Sequence, residues 1–332
     1  MKILKIMLFV LTINYTSTSF AQHDTVQYNI LRNDPKSINN LFIYAMPLNI
    51  DYLSTYANIS YGFGAEYNYK DKFILGVDFK RSYTEKLNDL ISGDIVNSSY
   101  SKKGQAKDMK NFMVYEFSVQ YLVGGKIRIH NEKPVLSDGI NSNTYIKIKN
   151  KHYIALALRA SYAQQQYDLT NVFMDDFHFY YTAYNLDAPN VIFNDLAAST
   201  MYTMQFVSFG LGVYQKQDLK ISTDTYGTKD YAISTTYYFD VLLPISQQLS
   251  NVEVTERKNT ALLTYEANLN EHTPMTNYGF RLGMKWQTVP AIRKINGGSK
   301  FEIGFLPGPD SLSKNFFIAF GLDLNLSFNT QK

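Results

Sequence analysis

The feature that most constrains this chain is its last long apolar stretch, Asn315 to Asn329. Phe316, Ile318, Phe320, Leu322, Leu324, Leu326 and Phe328 fall on every second position, and Phe317, Ala319, Gly321, Asp323, Asn325 and Ser327 fall between them. Strict period-two alternation predicts an extended strand with one oily and one small or polar face. Strands of soluble proteins average about 5–6 residues, and this one is far longer. From Phe316 to Phe328 it rises roughly 40 Å, or about 28 Å along a membrane normal at ~45° tilt. That matches an apolar band about 25 Å tall with aromatic residues at its rims. The expectation is therefore an all-β fold: a single transmembrane antiparallel β-barrel.

The N-terminus reads as an export signal over residues 1–21. Lys2 and Lys5 precede a short apolar run, Ile6 to Ile13, and Ser19-Phe20-Ala21 supplies small residues for cleavage before Gln22. The apolar run is too short for the ~20 residues of a helical span. The formal charge of +3 includes Lys2 and Lys5, so the exported chain carries about +1, which argues against nucleic acid as a partner. With no cysteine, a disulfide framework and thiolate metal or redox chemistry are excluded.

Residues 22–39 are polar and without periodicity, which predicts a periplasmic lead-in, and residues 40–329 then form the barrel. Phe42, Tyr44, Met46, Leu48 and Ile50 alternate across Pro47, as an edge or first strand allows. Strands follow at Ala57 to Tyr69 and Phe73 to Phe79, joined by a turn at Lys70-Asp71-Lys72. Others are centred on Met113 to Val123, Ile154 to Tyr162, Val207 to Val213, Leu219 to Tyr226, Tyr231 to Leu243, Ala261 to Leu269, Tyr278 to Trp286 and Phe301 to Phe305. Gln215 to Asp218 reads as a turn. The count is twelve, with two long connections, 125–150 and 244–259, leaving ten to fourteen open. An even count puts both termini on one side, expected to be periplasmic, with loops 84–110 and 164–199 outside.

The Ser-Phe-Ala-Gln junction, the Tyr- and Asn-rich strands, the lack of cysteine and the terminal strand FFIAFGLDLNLSF together resemble outer-membrane β-barrel proteins of the Bacteroidetes type. The resemblance implies the cell outer membrane as location and its lipid as surroundings. The terminal strand is similar to the aromatic-ended signal read by the barrel-assembly machinery, although Asn329 to Lys332 follow its last Phe.

Chemistry-bearing residues are few. Asp175, Asp176 and His178 in the second long loop are candidates for a divalent ion or an omptin-like water-activating pair, but such sites need convergent partners from other strands. A solvated aromatic loop is the preferred reading. Triads, thiolates and phosphate cradles are not evident, so no enzyme activity and no cofactor are expected. More weight falls on ionisable residues at inward positions: Glu66, Asp78, Lys80, Glu116, Arg159, Asp240, Glu266, Arg281, Lys285, Glu302 and Asp323. Of these, Arg159, Arg281 and Lys285 form the cationic side of a candidate constriction, and Glu66, Glu116 and Asp323 the anionic side. Inward glycines such as Gly64, Gly210, Gly212 and Gly283 would leave the lumen space. The expected function is a narrow solute channel. The alternative is a barrel subunit or accessory of a larger envelope complex, for example in type IX secretion or surface-protein assembly.

Overall fold

In the computed structural model, the described residues are 26–37, 40–53, 56–83, 102–106, 112–138, 143–170, 179–181, 191–193, 196–258, 261–267, 270, 274–288, 295–309 and 315–328. Ten strands close into an antiparallel barrel: β1 (Leu41–Leu53), β2 (Tyr56–Tyr69), β3 (Phe73–Ser82), β4 (Met113–Glu132), β5 (Ile148–Thr170), β6 (Leu196–Thr223), β7 (Gly227–Leu249), β8 (Gly279–Thr288), β9 (Asn296–Phe305) and β10 (Phe316–Phe328). Each pairs with its neighbours in chain order, and β10 pairs with β1 to complete the ring. The β5–β6 seam is laddered through Asp168–Thr170 and Ser199–Met201, and ring closure of this kind is the arrangement that lets strands stand in an apolar medium. Among the described residues no helix is long and apolar enough to cross a membrane.

The alternation of β10 appears as expected. Leu322, Leu324, Leu326 and Phe328 are exposed on the outer face, while Phe317, Ala319, Asp323 and Asn325 are buried inside. Phe63, Phe117, Phe209 and Leu282 are each more than half exposed, so the outer wall is oily where a water-soluble protein would be polar. Aromatic rings touch from strand to strand along it: Phe63 stacks on Phe79, which meets Tyr115 at a tilt, and Phe305 meets Phe280 at a tilt and Phe316 edge-on.

The wall has ten strands rather than twelve, for two reasons. Gln215 to Asp218 is not a turn but lies within the long strand β6, where neighbours meet its polar side chains: Gln215 with His152, Lys216 with Asp71, Gln217 with Asn150 and Asp218 with Arg32. The predicted strand near Ala261 is the outer arm of a hairpin, Val252–Lys258 with Ala261–Ala267, which leaves the ring. That hairpin pairs through Lys102–Ala106 to the top of β6, building a small sheet above the wall. Glu266, expected inside the lumen, is therefore in register with Glu253 in a hairpin that stands outside the ring of ten.

β1 also departs from expectation. Phe42, Tyr44 and Met46 face inward and are buried, whereas Ile43, Ile50 and Tyr52 face out. The register with β2 slips between Met46 and Asn49, at Pro47, which has no N–H to give the ladder. One extra residue swaps the two faces of a strand.

The ring has two unlike ends. At one, here the turn end, lie the reversals at Lys70–Lys72 and Asp224–Tyr226, together with Asn40 and Phe328. At the other, the loop end, lie the long connections. The β2–β3 reversal uses two positive-φ residues, Lys70 and Asp71, held by Asn68, whose side-chain carbonyl accepts from the Asp71 N–H at 3.0 Å. Gly227, at φ 65°, closes the β6–β7 reversal.

Strands β4 to β7 run past the others at the turn end. The outer side of this extension carries its own core, Leu136, Ile146, Ile148, Leu219 and Ile221, with the hairpin Val135–Asp138/Asn143–Tyr145 contributing. The presumed lead-in is in part structured: Tyr28–Asn33 forms a strand that pairs with Leu219–Thr223 of β6. Arg32 holds it there, 2.5 Å from Asp218 and 3.3 Å from Asp230. Past a short 3-10 turn, Pro35–Ser37, the chain reaches Asn40, which bonds to Phe328 of β10 and Asn68 of β2. Since β6 and β1 stand opposite each other in the ring, this N-terminal strap crosses the turn-end mouth.

Candidate functional site: the charged barrel interior

Inward positions of five strands, β4, β5, β7, β8 and β9, bring ionisable side chains into a buried belt. Arg281 of β8 is its hub. Its guanidinium lies 2.5 Å from Glu116 of β4, 2.9 Å from Asp240 of β7 and 3.2 Å from Glu302 of β9. Arg159 of β5 meets the other side of Asp240 at 3.0 Å. Lys300 of β9 lies 3.4 Å from both Glu116 and Glu302. Three cations, Arg159, Arg281 and Lys300, thus meet three acids, Glu116, Asp240 and Glu302. Tyr238 completes the group, donating its hydroxyl to Glu302 at 2.6 Å while its ring lies 3.9 Å beneath Arg159.

Strand order gives these pairs their meaning. β9 and β4 are diametrically opposite in a ring of ten, and β8 and β4 are nearly so. The bonds from Lys300 and Arg281 to Glu116 therefore cross the lumen rather than decorate its wall. A second crossing lies towards the turn end, where Lys285 of β8 reaches Glu66 of β2 at 2.5 Å and sits over the Tyr44 ring, whose hydroxyl bonds to Asp78. A third joins Tyr214 of β6 to Asn68 of β2 at 3.2 Å. Towards the loop end Lys80 faces Asp51 at 3.5 Å.

Apolar layers lie on both sides of the belt. Tyr167, Tyr202, Met204, Phe206 and Leu242 fill the loop-end side, with the Tyr167 and Tyr202 rings 5.3 Å apart. Ile74, Leu122, Tyr153, Ala155, Ala157 and Tyr214 fill the turn-end side. Between the belt and the loop-end layer is a cavity of about 40 Å³, room for a few waters. Dry surroundings strengthen each ion pair and make each unpaired charge costly.

The six candidate constriction residues, Glu66, Glu116, Arg159, Arg281, Lys285 and Asp323, all face the interior. Five of them are paired across or along it, while Asp323 accepts a bond from Asn325 at 3.2 Å. The inward glycines do not open space for solvent. A methyl at Gly283 would lie 2.2 Å from the Tyr238 ring, at Gly210 2.1 Å from Asp240, and at Gly64 2.5 Å from Tyr44 and Asp78. Their missing side chains make room for the network itself. Lys300 and Asp51 escaped the sequence reading because each lies just past the end assigned to its strand. Asp175, Asp176 and His178 lie outside the described residues.

A smaller polar cluster lies beyond the belt, on the turn-end extension. His152 Nε2 is 2.6 Å from Glu132, its Nδ1 is 2.7 Å from Gln215, and the His130 ring is 4.7 Å away. Burial alone would raise the Glu132 carboxyl, but bonds from His152 and Asn150 and the nearby imidazoles outweigh it and hold the group below the ordinary carboxylate range. A carboxyl lowered on folding adds stability above its unfolded value, about 4.3, and loses it as pH falls through the folded value. Protection against exchange at the Arg128, His130, Asn150 and His152 amides, which face the β4–β5 ladder, is therefore expected to hold down to about pH 4.3 and to fall below it. Glu132→Gln should abolish that acid step. An unchanged step in the variant would assign it to another group.

No family model and no curated protein matches the chain. Among solved structures it is similar to the outer-membrane protease OmpT of Escherichia coli, with 6% identity over 90% of this chain and 99% of that one and a TM-score of 0.33. It is also similar to the monoaromatic hydrocarbon channel CymD, with 9% identity over 90% and 91% and a TM-score of 0.24. A third is the β domain of the Bordetella autotransporter BrkA, with 12% identity over 88% and 100% and a TM-score of 0.22. Identities and scores this low decide neither activity nor ligand.

Proposed function

We propose that this chain is an integral outer-membrane barrel, non-catalytic and closed at rest, that serves as a membrane-anchored subunit or accessory of a larger envelope assembly. The observation that carries this reading is the set of cross-lumen ion pairs from Arg281, Lys300 and Lys285. A narrow channel, favoured on the sequence, needs a continuous wet path. Here that path holds the charged belt, two apolar layers and, at the turn end, the N-terminal strap. What remains for partners are the two ends: the sheet above the loop end and the extension below the turn end.

The oily, aromatic outer wall supports a lipid setting, and the export signal and barrel closure support the outer membrane. With short reversals inward and long loops outward, the termini are periplasmic. The C-terminal strand is the segment offered to the barrel-assembly machinery. Purified barrel in planar bilayers is expected to give no steady unitary conductance, while boiled and unboiled samples migrate differently on a denaturing gel. Steady conductance steps from the wild-type chain would overturn the closed-barrel reading. Identical gel migration with recovery in the periplasmic fraction would overturn the membrane reading.

A further inference from the structure

The turn-end extension carries an edge that the barrel itself does not use. β3 ends its pairing with β4 at Phe73–Tyr121, and the last backbone bond there is from the Leu122 N–H to the Lys72 carbonyl at 2.8 Å. β4 nevertheless continues to Glu132, paired on its other side with Ile148–Ile154 of β5. Between Val123 and Lys126 the register slips by one residue. Gly124, at φ 65°, supplies the left-handed step, and at Gly125 a side chain would strike the Tyr153 hydroxyl. Beyond this bulge, among the described residues, nothing pairs with the second edge of β4. Every residue from Val123 to Asn131 is exposed.

The alternation fixes what that edge offers. Leu122 faces the interior and gives its N–H towards β3. Past the bulge the same face is carried by Ile127, Ile129 and Asn131, opposite Tyr153, Lys151 and Lys149 of β5. Their backbone N–H and C=O groups therefore point to the open edge. Ile127 and Ile129 are 46% and 65% exposed. The opposite face of the same stretch carries Lys126 and Arg128. Lys72, Lys147, Lys149 and Lys151 are also exposed nearby, while the local acids are engaged, Asp71 with Lys216 and Glu132 with His152.

Cations alone would read as protection against edge-to-edge aggregation. Two bare isoleucines on the other face are what such protection would not leave. We propose that Gly124–Glu132 is a strand-addition site for an extended segment of a partner protein in which acidic and apolar residues alternate. The partner's acids would meet Lys126 and Arg128, its apolar side chains would cover Ile127 and Ile129, and its backbone would complete the ladder. A second copy of this chain fits poorly, because its own cations would be set against these. Anionic lipid headgroups would satisfy the charge but leave the backbone edge unpaired. The proposal rests on the subunit reading above and names the partner's chemistry.

The test uses the full chain folded in detergent and a fluorescein-labelled peptide of four Glu-Val repeats. Controls are a peptide of the same composition with its Glu and Val in two blocks, and a Lys-Val repeat. The Glu-Val repeat is expected to bind at least ten-fold tighter than either control and to slow amide exchange at Ile127, Ile129 and Asn131. Ile129→Pro removes one open-edge donor without touching the β5 ladder. It should weaken binding at least ten-fold while the heat-dependent gel shift is kept. Should that variant lose the gel shift, the exchange footprint on the wild-type chain decides alone. Equal binding of the blocked peptide, undiminished binding by a folded Ile129→Pro, or no protection at the three amides would overturn the proposal. So would binding only to phosphatidylglycerol vesicles. A non-conducting barrel that ignores the Glu-Val peptide sinks this inference alone, whereas a conducting barrel that binds it sinks only the closed-lumen reading.

Discussion

Arg281→Ala is expected to lower the stability of the folded barrel by about 3–5 kcal/mol. The guanidinium touches three buried carboxylates, Glu116, Asp240 and Glu302, and all three stay inside the wall when it is removed. Arg159 and Lys300 remain to neutralise them in part, but three acids would then face two cations between apolar layers that admit little water. The single tryptophan, Trp286, lies on β8 four residues beyond Leu282 and reports unfolding directly. The urea midpoint of its fluorescence should fall sharply in the variant. Removing one carboxylate along with the guanidinium, Arg281→Met with Glu302→Gln, should recover a large part of the loss although it deletes more bonds, because Arg159 with Asp240 and Lys300 with Glu116 then remain as matched pairs. A shift below about 1 kcal/mol for Arg281→Ala would mean that water reaches the belt, as at exposed ion pairs, and the closed-lumen reading would fall with it.

Gly283→Ala is expected to cost about 1–3 kcal/mol or more, the range for overpacking a full core, although the change adds one methyl. That methyl would sit 2.2 Å from Cζ and 2.4 Å from the hydroxyl oxygen of Tyr238. The ring must move, and moving it takes its hydroxyl from Glu302 and its face from Arg159. Tyr238→Ala in the same background should relieve the clash, so the double variant should be more stable than the two single losses predict. Tyr238→Phe should not, since the contact is with the ring as well as the hydroxyl. Gly297→Ala is the control: the nearest atom is the Asp323 carbonyl oxygen at 3.9 Å, and its midpoint should barely move. A Gly283→Ala midpoint as unmoved as the control would show that Tyr238 is loosely held.

Much of the candidate site was legible in the strands because side-chain direction there is a local property. Once β10 is read as an alternating strand, Asp323 must face inward, and the same reasoning places Glu66, Glu116, Arg159, Arg281 and Lys285. It fails where the local rule is broken. Pro47 slips the register of β1 and turns Phe42, Tyr44 and Met46 inside, which alternation across the proline does not show. The polar run Gln215–Asp218 has the composition of a turn, and only distant partners such as Asp71 and Arg32 keep it extended.

The sequence by itself determined the fold class, the oily outer face and the inward placement of the charges, since each follows from a two-residue period and the length of the runs. The tertiary structure decided the rest. The choice of ten wall strands over twelve depends on which edges pair, and the Ala261 arm alternates as well as any wall strand while pairing elsewhere. The lumen's state depends on which strands stand opposite each other: Lys300 and Glu116 lie far apart in the chain, and only ring closure sets them face to face. The open edge of β4 arises because β3 is shorter than β4 and β5. That mismatch becomes visible only once the three strands lie side by side.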